Sequence, residues 1–359
     1  MRRFWIRQLL ALFLALLVVL VPAAGYAANP YELTYTGRIG PAAVRLQLEL
    51  NGAAITGSSL YNGVRGPFTI SGAVDRLRHV RLQEYDREGR LRGVFDGRLP
   101  SLLQFYGTWA APDGYRRIGF NLLAVPPRSV AGPAAFQAGI WRRIGYMPYE
   151  SATLVISDWT PAGFHFRLTA FSGSRTGVLS GNARISDGSA EWSDPGRACR
   201  LQMVMIQDLL SIIVSGNTTM YAGTGVVFDG DYRLGDWNEP PPSLLDLGVL
   251  ETPAQDRAFR ELVGRFYERF VASFQLKADV PDLDGLNARV RVGWIRGFSG
   301  SDAAIIMIGA DGGLYAAVLD GERIRYFTDR PAFRDRLPRT IERWGEQFPE
   351  KKLVWMDPS

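Results

Sequence analysis

The chain of 359 residues carries 41 basic and 36 acidic side chains, two histidines and one cysteine, for a formal net charge of +5. Three arginines among the first 27 residues supply most of that excess; without them the balance is 38 to 36, which excludes the strongly basic domain of a nucleic-acid binder. Cys199 has no second cysteine to bridge, and His79 and His165 lie far apart, so disulfide staples and a clustered zinc site are excluded and burial must hold the fold.

The chain opens "MRRFWIRQLLALFLALLVVLVPAAGYAANP". Arg2, Arg3 and Arg7 precede an apolar run of 13 residues, Leu9 to Val21; Pro22 ends it and small residues follow. This is the pattern of a signal peptide spanning residues 1–27, cut after Ala27 with Gly25 at the small −3 position. The run is short for a bilayer span, so the expectation is a periplasmic or secreted protein with no membrane span after cleavage. The uncleaved alternative is a retained anchor.

Residues 28–124 read as a first β-barrel-like module. "AVRLQLEL" alternates Val44, Leu46, Leu48 and Leu50 with Arg45, Gln47 and Glu49, the period of a half-buried strand. Further short strands follow at regular turn spacing, "AITGSSLY" and "GPFTISGAV" being joined across Asn62-Gly63. About eight strands in meander order predict a barrel or sandwich. Residues 125–136 ("VPPRSVAGP") are expected as a Pro-rich linker. Residues 137–235 repeat the habit, with strands from "SATLVISDW" to "GVVFDGDYRL". A second Pro-rich linker is expected over 236–250, followed by an α+β module over 251–359.

That last module opens with "DRAFRELVGRFYERFVASFQ", where Phe259, Leu262, Val263, Phe266, Phe270 and Phe274 make one helical stripe. Four strands follow, the last three separated by Asp311-Gly312 and Asp320-Gly321 turns, then a helix in "RLPRTIERWGEQF" and a strand in "KLVWM". The fold class is therefore mainly β: two antiparallel barrel-like modules in tandem, then a helix–β-meander–helix–strand module.

The letters Val-Phe-Asp-Gly occur twice, at 94–97 and 227–230. After Asp96-Gly97, Pro100 leaves no room for a return strand, so a hairpin turn is excluded there. The glycines are expected to let strands bend where a barrel closes, with Phe95 and Phe228 inward and Asp96 and Asp229 facing water. With "YTGRIG", "GVFDG" and "FYGTW…G…FNLL", the first module resembles the lipocalin-like β repeats of bacterial envelope proteins, and the second, with "YAGTGVVFDGDYRL", is similar to barrel segments of exported proteins, some lysozyme-inhibitor-like. That resemblance implies barrels and transfers no catalytic residue.

Known catalytic patterns fail one by one. "GFSGS" at Gly297–Ser301 lacks the final glycine of a nucleophile elbow. In "DVPDLDG" a calcium loop with Gly285 at its sixth position would start on Val280 and end on Arg291, so the segment reads as an acidic turn. Two carboxylate pairs on strand faces stay open for hydrolysis, Glu84 with Asp86 and Asp229 with Asp231. The remaining functional signal is aromatic. Trp294 and Arg296 in "GWIRG", beside Tyr315 and Tyr326, are residue types that anchor binding, and these four are the candidate site.

The function expected is thus an exported, non-enzymatic binding protein of the bacterial envelope, without a cofactor, taking a small apolar ligand or another envelope protein. The alternatives are an envelope hydrolase using a carboxylate pair, or a structural assembly factor. The mature chain should begin at Ala28. Intact mass of the exported protein measures this directly, and a membrane-bound species retaining Met1 would establish the anchor instead.

Overall fold

The structure is a computed structural model that describes residues 30–125, 136–145, 148–236 and 240–356. The signal-like segment 1–27 and most of the expected linker 125–136 lie outside the described residues.

Eight strands form the first barrel: β1 (Tyr31–Ile39), β2 (Ala42–Asn51), β3 (Ala54–Tyr61), β4 (Phe68–Val74), β5 (His79–Tyr85), β6 (Leu91–Ser101), β7 (Gln104–Ala110) and β8 (Arg117–Val125). Each pairs antiparallel with the next, and β1 closes the barrel on β8. Period-2 alternation decides which side chains enter it. On β2, Val44, Leu46, Leu48 and Leu50 are buried while Arg45, Gln47 and Glu49 are exposed. Polar side chains outside and apolar ones inside are the reverse of a membrane-spanning barrel. Inside, Tyr35, Phe95, Phe105 and Phe120 pack edge to face, with Phe105 and Phe120 centroids 4.8 Å apart. The interior is packed with side chains.

Two local expectations change. Asn62-Gly63 opens a longer connection, because β3 ends at Tyr61 and β4 begins only at Phe68. β6 runs on through Pro100, where the register with β7 shifts between Arg98 and Ser101; the irregularity accommodates a residue with no amide hydrogen.

The second barrel comprises β9 (Gly139–Ile144), β10 (Glu150–Thr160), β11 (Gly163–Ser172), β12 (Arg175–Ser186), β13 (Ser189–Asp194), β14 (Cys199–Ile206), β15 (Leu209–Gly216) and β16 (Gly230–Leu234). β9, not foreseen as a strand, closes it between β10 and β16. β16 is shorter than expected. Its pairing with β15 stops at Gly230, and the Asp229 carboxylate takes over by accepting the Val214 amide at 2.6 Å.

The barrels share a core. The β14–β15 hairpin places Val204, Ile206 and Leu209 in the apolar cluster that fills the first barrel. Beside it, Asp231 of β16 is fully buried and meets Arg78 of the first barrel, the Leu102 amide at 2.8 Å and the Ser211 hydroxyl at 2.6 Å. At the hairpin tip, Tyr31 donates to Asp208 at 2.9 Å and Gln207 to the Pro30 carbonyl at 2.9 Å.

The C-terminal unit begins before its helices. Leu244, Leu247, Val249 and Leu250, expected within the second linker, are buried in this unit's core. The long helix expected over the Phe stripe divides into α1 (Pro253–Val263) and α2 (Tyr267–Ser273), separated by one 3-10 turn at Gly264, which adopts a positive φ that ends α1. Thr252 and Gln255 cap α1 reciprocally. The sheet has six strands in sequential order: β17 (Leu276–Val280), β18 (Arg289–Trp294), β19 (Ala303–Ile308), β20 (Leu314–Asp320), β21 (Arg323–Thr328) and β22 (Lys352–Trp355), with only β21 and β22 parallel. β17 is an edge strand that the sequence pattern did not reveal. α1 and α2 share an apolar cluster with Ala304, Ile306, Ala316 and Phe327 on one sheet face. On the other face α3 (Arg339–Gly345), shorter than expected, joins the cluster of Ala303, Ile305, Tyr315 and Tyr326.

The two Val-Phe-Asp-Gly stretches therefore occupy different places. Gly97 lies within β6 directly opposite Gly107 of β7, and a Cβ there would run into the Tyr106 carbonyl, which is backbone and cannot move aside. At Gly230 the first obstacle is the flexible side chain of Arg143. Gly97→Val should cost about 2–3 kcal/mol, Gly230→Val roughly 1 kcal/mol or less. Denaturant melts of both variants measure the difference; equal costs would remove this account of Gly97.

Candidate functional site

A cleft of about 800 Å³ opens in the C-terminal unit between the β17–β19 side of the sheet and α3. It exists because one helix covers only part of that face. α3 packs Ile341 and Trp344 toward the sheet, with Phe348 just beyond its end, and the strip formed by β17 and β18 keeps no helix above it. Strand alternation decides what shows there. Val280, Val292 and Trp294 share the cleft face because cross-strand partners point the same way: Val280 pairs with Val290, and Leu276 with Trp294. Ala303 and Ile305 of β19 extend the floor, and Trp344 and Phe348, ring centroids 5.0 Å apart, make the opposite wall.

One end is fixed by the acidic turn. Asp282 accepts the amides of Asp284 and Ala288, at 2.8 and 3.0 Å, which shapes the loop and, with burial opposing, holds its carboxyl below the usual range. Asp284 then caps α3 from a distance, accepting Arg339 N at 2.8 Å, Thr340 N at 3.0 Å and the Thr340 hydroxyl at 2.6 Å. The Thr340 hydroxyl in turn accepts the Leu283 amide at 2.9 Å. The segment thus ties the β17–β18 connection to the helix, leaving Pro281 and Leu283 as part of the cleft wall.

Of the four candidate residues, the structure brings three to one sheet face. Trp294 lines the cleft and is half-buried. Tyr315 and Tyr326 lie deeper on the same face, fully buried; Tyr315 packs edge-on against Phe333 at 5.2 Å and Tyr326 against Trp355 at 5.3 Å. Burial pushes both phenols above their ordinary pKa. Arg296 lies elsewhere. β18 ends at Trp294, and the turn beyond it carries Arg296 toward the second barrel, where its carbonyl accepts the Ser174 amide at 3.2 Å and its guanidinium donates to the Thr224 carbonyl at 3.3 Å. Buried Gln275 completes that joint, accepting Arg296 N at 2.9 Å and donating to Ser172 at 3.2 Å. Arg296 holds two units together there.

Trp344 and Phe348 were legible as the apolar side of a helix, but nothing local marks them as cleft residues. Ser299 and Gln347, polar residues at its rim, carry no sequence signal at all.

The carboxylate pairs do not act as pairs. Glu84 is fully buried inside the first barrel, bonded by Ser59, by Tyr61 at 2.8 Å and by Arg92 at 2.9 Å, and the guanidinium of Arg92 lies 3.9 Å from the Phe68 ring centroid. Asp86 lies in the following turn, bound to Arg90. Asp231 is engaged at the barrel joint and Asp229 at the end of β15, so every one of these acids has a structural occupation. Asp96, expected to face water, is partly exposed and meets His79 Nε2 at 2.7 Å. Cys199 is buried in the second barrel's core, and burial raises its thiol pKa, the opposite of a reactive thiolate.

No family model matches the chain, and no curated protein matches it. Among solved structures, a DNA polymerase III subunit beta sliding clamp from Bartonella birtlesii is similar at a TM-score of 0.17 and 10% identity, over 83% of this chain and 90% of the clamp. A likeness that slight carries no argument. Among the described residues no helix is long and apolar enough to cross a membrane.

The half-buried Asp229 departs from the water-facing position expected of it, and burial raises its pKa although the Val214 amide opposes this. An acid whose folded pKa is raised favours folding most when protonated, and that contribution is lost as pH rises through the folded value. Asp229→Asn keeps an acceptor for Val214 without the charge. It should gain stability relative to the natural chain between about pH 4 and 7, by on the order of 1 kcal/mol or less. Urea melts across that range test this, and a relative loss with rising pH would contradict it.

Proposed function

We propose that this chain is an exported, non-enzymatic binding protein of the bacterial envelope, whose C-terminal cleft receives an apolar ligand. One observation carries the reading: a concave site of about 800 Å³, floored by Ala303 and Ile305 and walled by Trp294, Trp344 and Phe348, remains open on a sheet face whose other parts are covered. That size and lining suit a small organic ligand. The signal-like segment supports export. The barrels are better suited to scaffolding than to ligand capture, since aromatic side chains fill the first and the hairpin of the second seals it.

A second version has a protein partner in place of the small molecule. Leu283 at the cleft wall is 46% exposed, a large apolar side chain that a partner's surface would cover. A hydrolase gains no support, since the candidate acids are each engaged in the fold.

The cleft reading is tested with N-phenyl-1-naphthylamine, whose emission rises in apolar sites. The mature protein should bind it, Trp294→Ala should weaken binding, and Ala303→Phe, which fills the floor, should weaken it at least about tenfold, equivalent to roughly 1.4 kcal/mol. Circular dichroism checks that the variants fold. Equal binding by all three proteins would place the probe elsewhere and remove the cleft as the site.

A further inference from the structure

The chemistry of the cleft rim narrows the class of ligand, an inference that rests on the cleft being the binding site. Its floor and walls are apolar, so specificity must come from the polar groups at the mouth, and most of these are already committed. The Thr340 hydroxyl donates to Asp284 at 2.6 Å and accepts the Leu283 amide at 2.9 Å. Arg343 and Glu346 pair with each other at 2.7 Å in the open, so the rim presents adjacent charges of opposite sign. An anionic head approaching Arg343 meets Glu346 beside it, and a cationic head approaching Glu346 meets Arg343. A charge pushed further in would give up its water among indole and aliphatic groups with no counter-ion, and for a cation the indole faces offset only part of that cost.

Two polar side chains remain. Ser299, on the connection after β18, and Gln347, beyond the end of α3, both line the cleft and are exposed, and neither side chain has a hydrogen-bond partner among the described residues. A hydroxyl and a carboxamide offer donors and acceptors without charge. We infer that the cleft selects an uncharged amphiphile: an apolar body against Trp294 and Trp344, and a neutral hydrogen-bonding end, such as an alcohol, amide or ester, at Ser299 and Gln347.

The test is displacement of bound N-phenyl-1-naphthylamine at neutral pH by three molecules with one tail and different heads: decanol, decanoate and decylammonium. Decanol should displace the probe about tenfold more effectively than either ion. Ser299→Ala with Gln347→Leu, two exposed positions that leave the core intact, should bring the three within about twofold of one another. An ion that competes as well as decanol overturns the assignment of a neutral ligand while leaving the cleft as a site, as does a preference that survives the double variant. Failure of all three to displace a probe that Ala303→Phe excludes overturns the neutral amphiphile as the ligand class. Failure of Ala303→Phe to affect the probe overturns the cleft itself.

Discussion

The relative placement of the two barrels depends on one buried carboxylate. Asp231 has no exposed side-chain surface, and an ion so placed costs several kcal/mol unless its oxygens are met. Its partners come from three stretches of chain: Arg78 and the Leu102 amide in the first barrel, and Ser211 on the strand beside it. Ser211 is met within the second barrel itself, so Arg78 and the Leu102 amide are the partners that tie the carboxylate to the docking of the first. Tyr35 continues the network inward, donating to the Leu102 carbonyl at 2.9 Å from within the first barrel. Around this polar point the contact is apolar, since Val204, Ile206 and Leu209 enter the neighbouring core. Apolar burial supplies attraction without direction, and the carboxylate supplies the direction.

The C-terminal unit is joined to both barrels by polar contacts, one of them buried at Gln275 and the rest nearer the surface. Gln275 and Arg296 connect it to the second barrel, and Arg76 of the first reaches Asp246 at 3.2 Å. These contacts come from Gln275 between α2 and β17, from the connection after β18 and from the segment before α1, whereas every residue lining the cleft, from Val280 to Phe348, belongs to the C-terminal unit. The cleft is therefore a property of the C-terminal unit itself. Its width is set by the reach of Asp284 to the start of α3, because that bond fixes how far the helix stands from the edge strands.

Most of the fold was legible in the chain where alternation is strong. The residues of β2 and β5 show their inward faces without ambiguity, and the eight-strand count of the first barrel follows from turn spacing; β14 is buried on both faces over its second half, where Val204 and Ile206 enter the neighbouring barrel. β9 and β17 were not legible. "GIWRRI" and "LKADV" are short and interrupted by charge, and become strands because a neighbour offers a ladder. The repeated Val-Phe-Asp-Gly letters mislead for a related reason. Both phenylalanines are buried as expected, but Asp96 lies mid-strand beside His79, whereas Asp229 ends a strand and serves an amide. Gly264 interrupts a helical stripe that the hydrophobic period alone would carry through. Trp294 was identifiable from its residue type and strand position. The cleft was not, because its walls come from residues 280–283, 292–305 and 340–348, which only the sheet and α3 bring together.

The shared core has a consequence for the order in which the chain matures. The first barrel can pair all eight of its strands once β8 has been made, since closure needs only β1 and β8. Its interior is not finished at that moment. The apolar side chains that seal one end belong to the β14–β15 hairpin, which appears only after β9 through β13 have followed. Until they are made the leading barrel is a vessel without its stopper, exposing apolar surface to whatever surrounds it. The trailing barrel supplies the side chains that the leading one lacks, and a chain cut short after β8 would carry a closed ladder around an unsealed core.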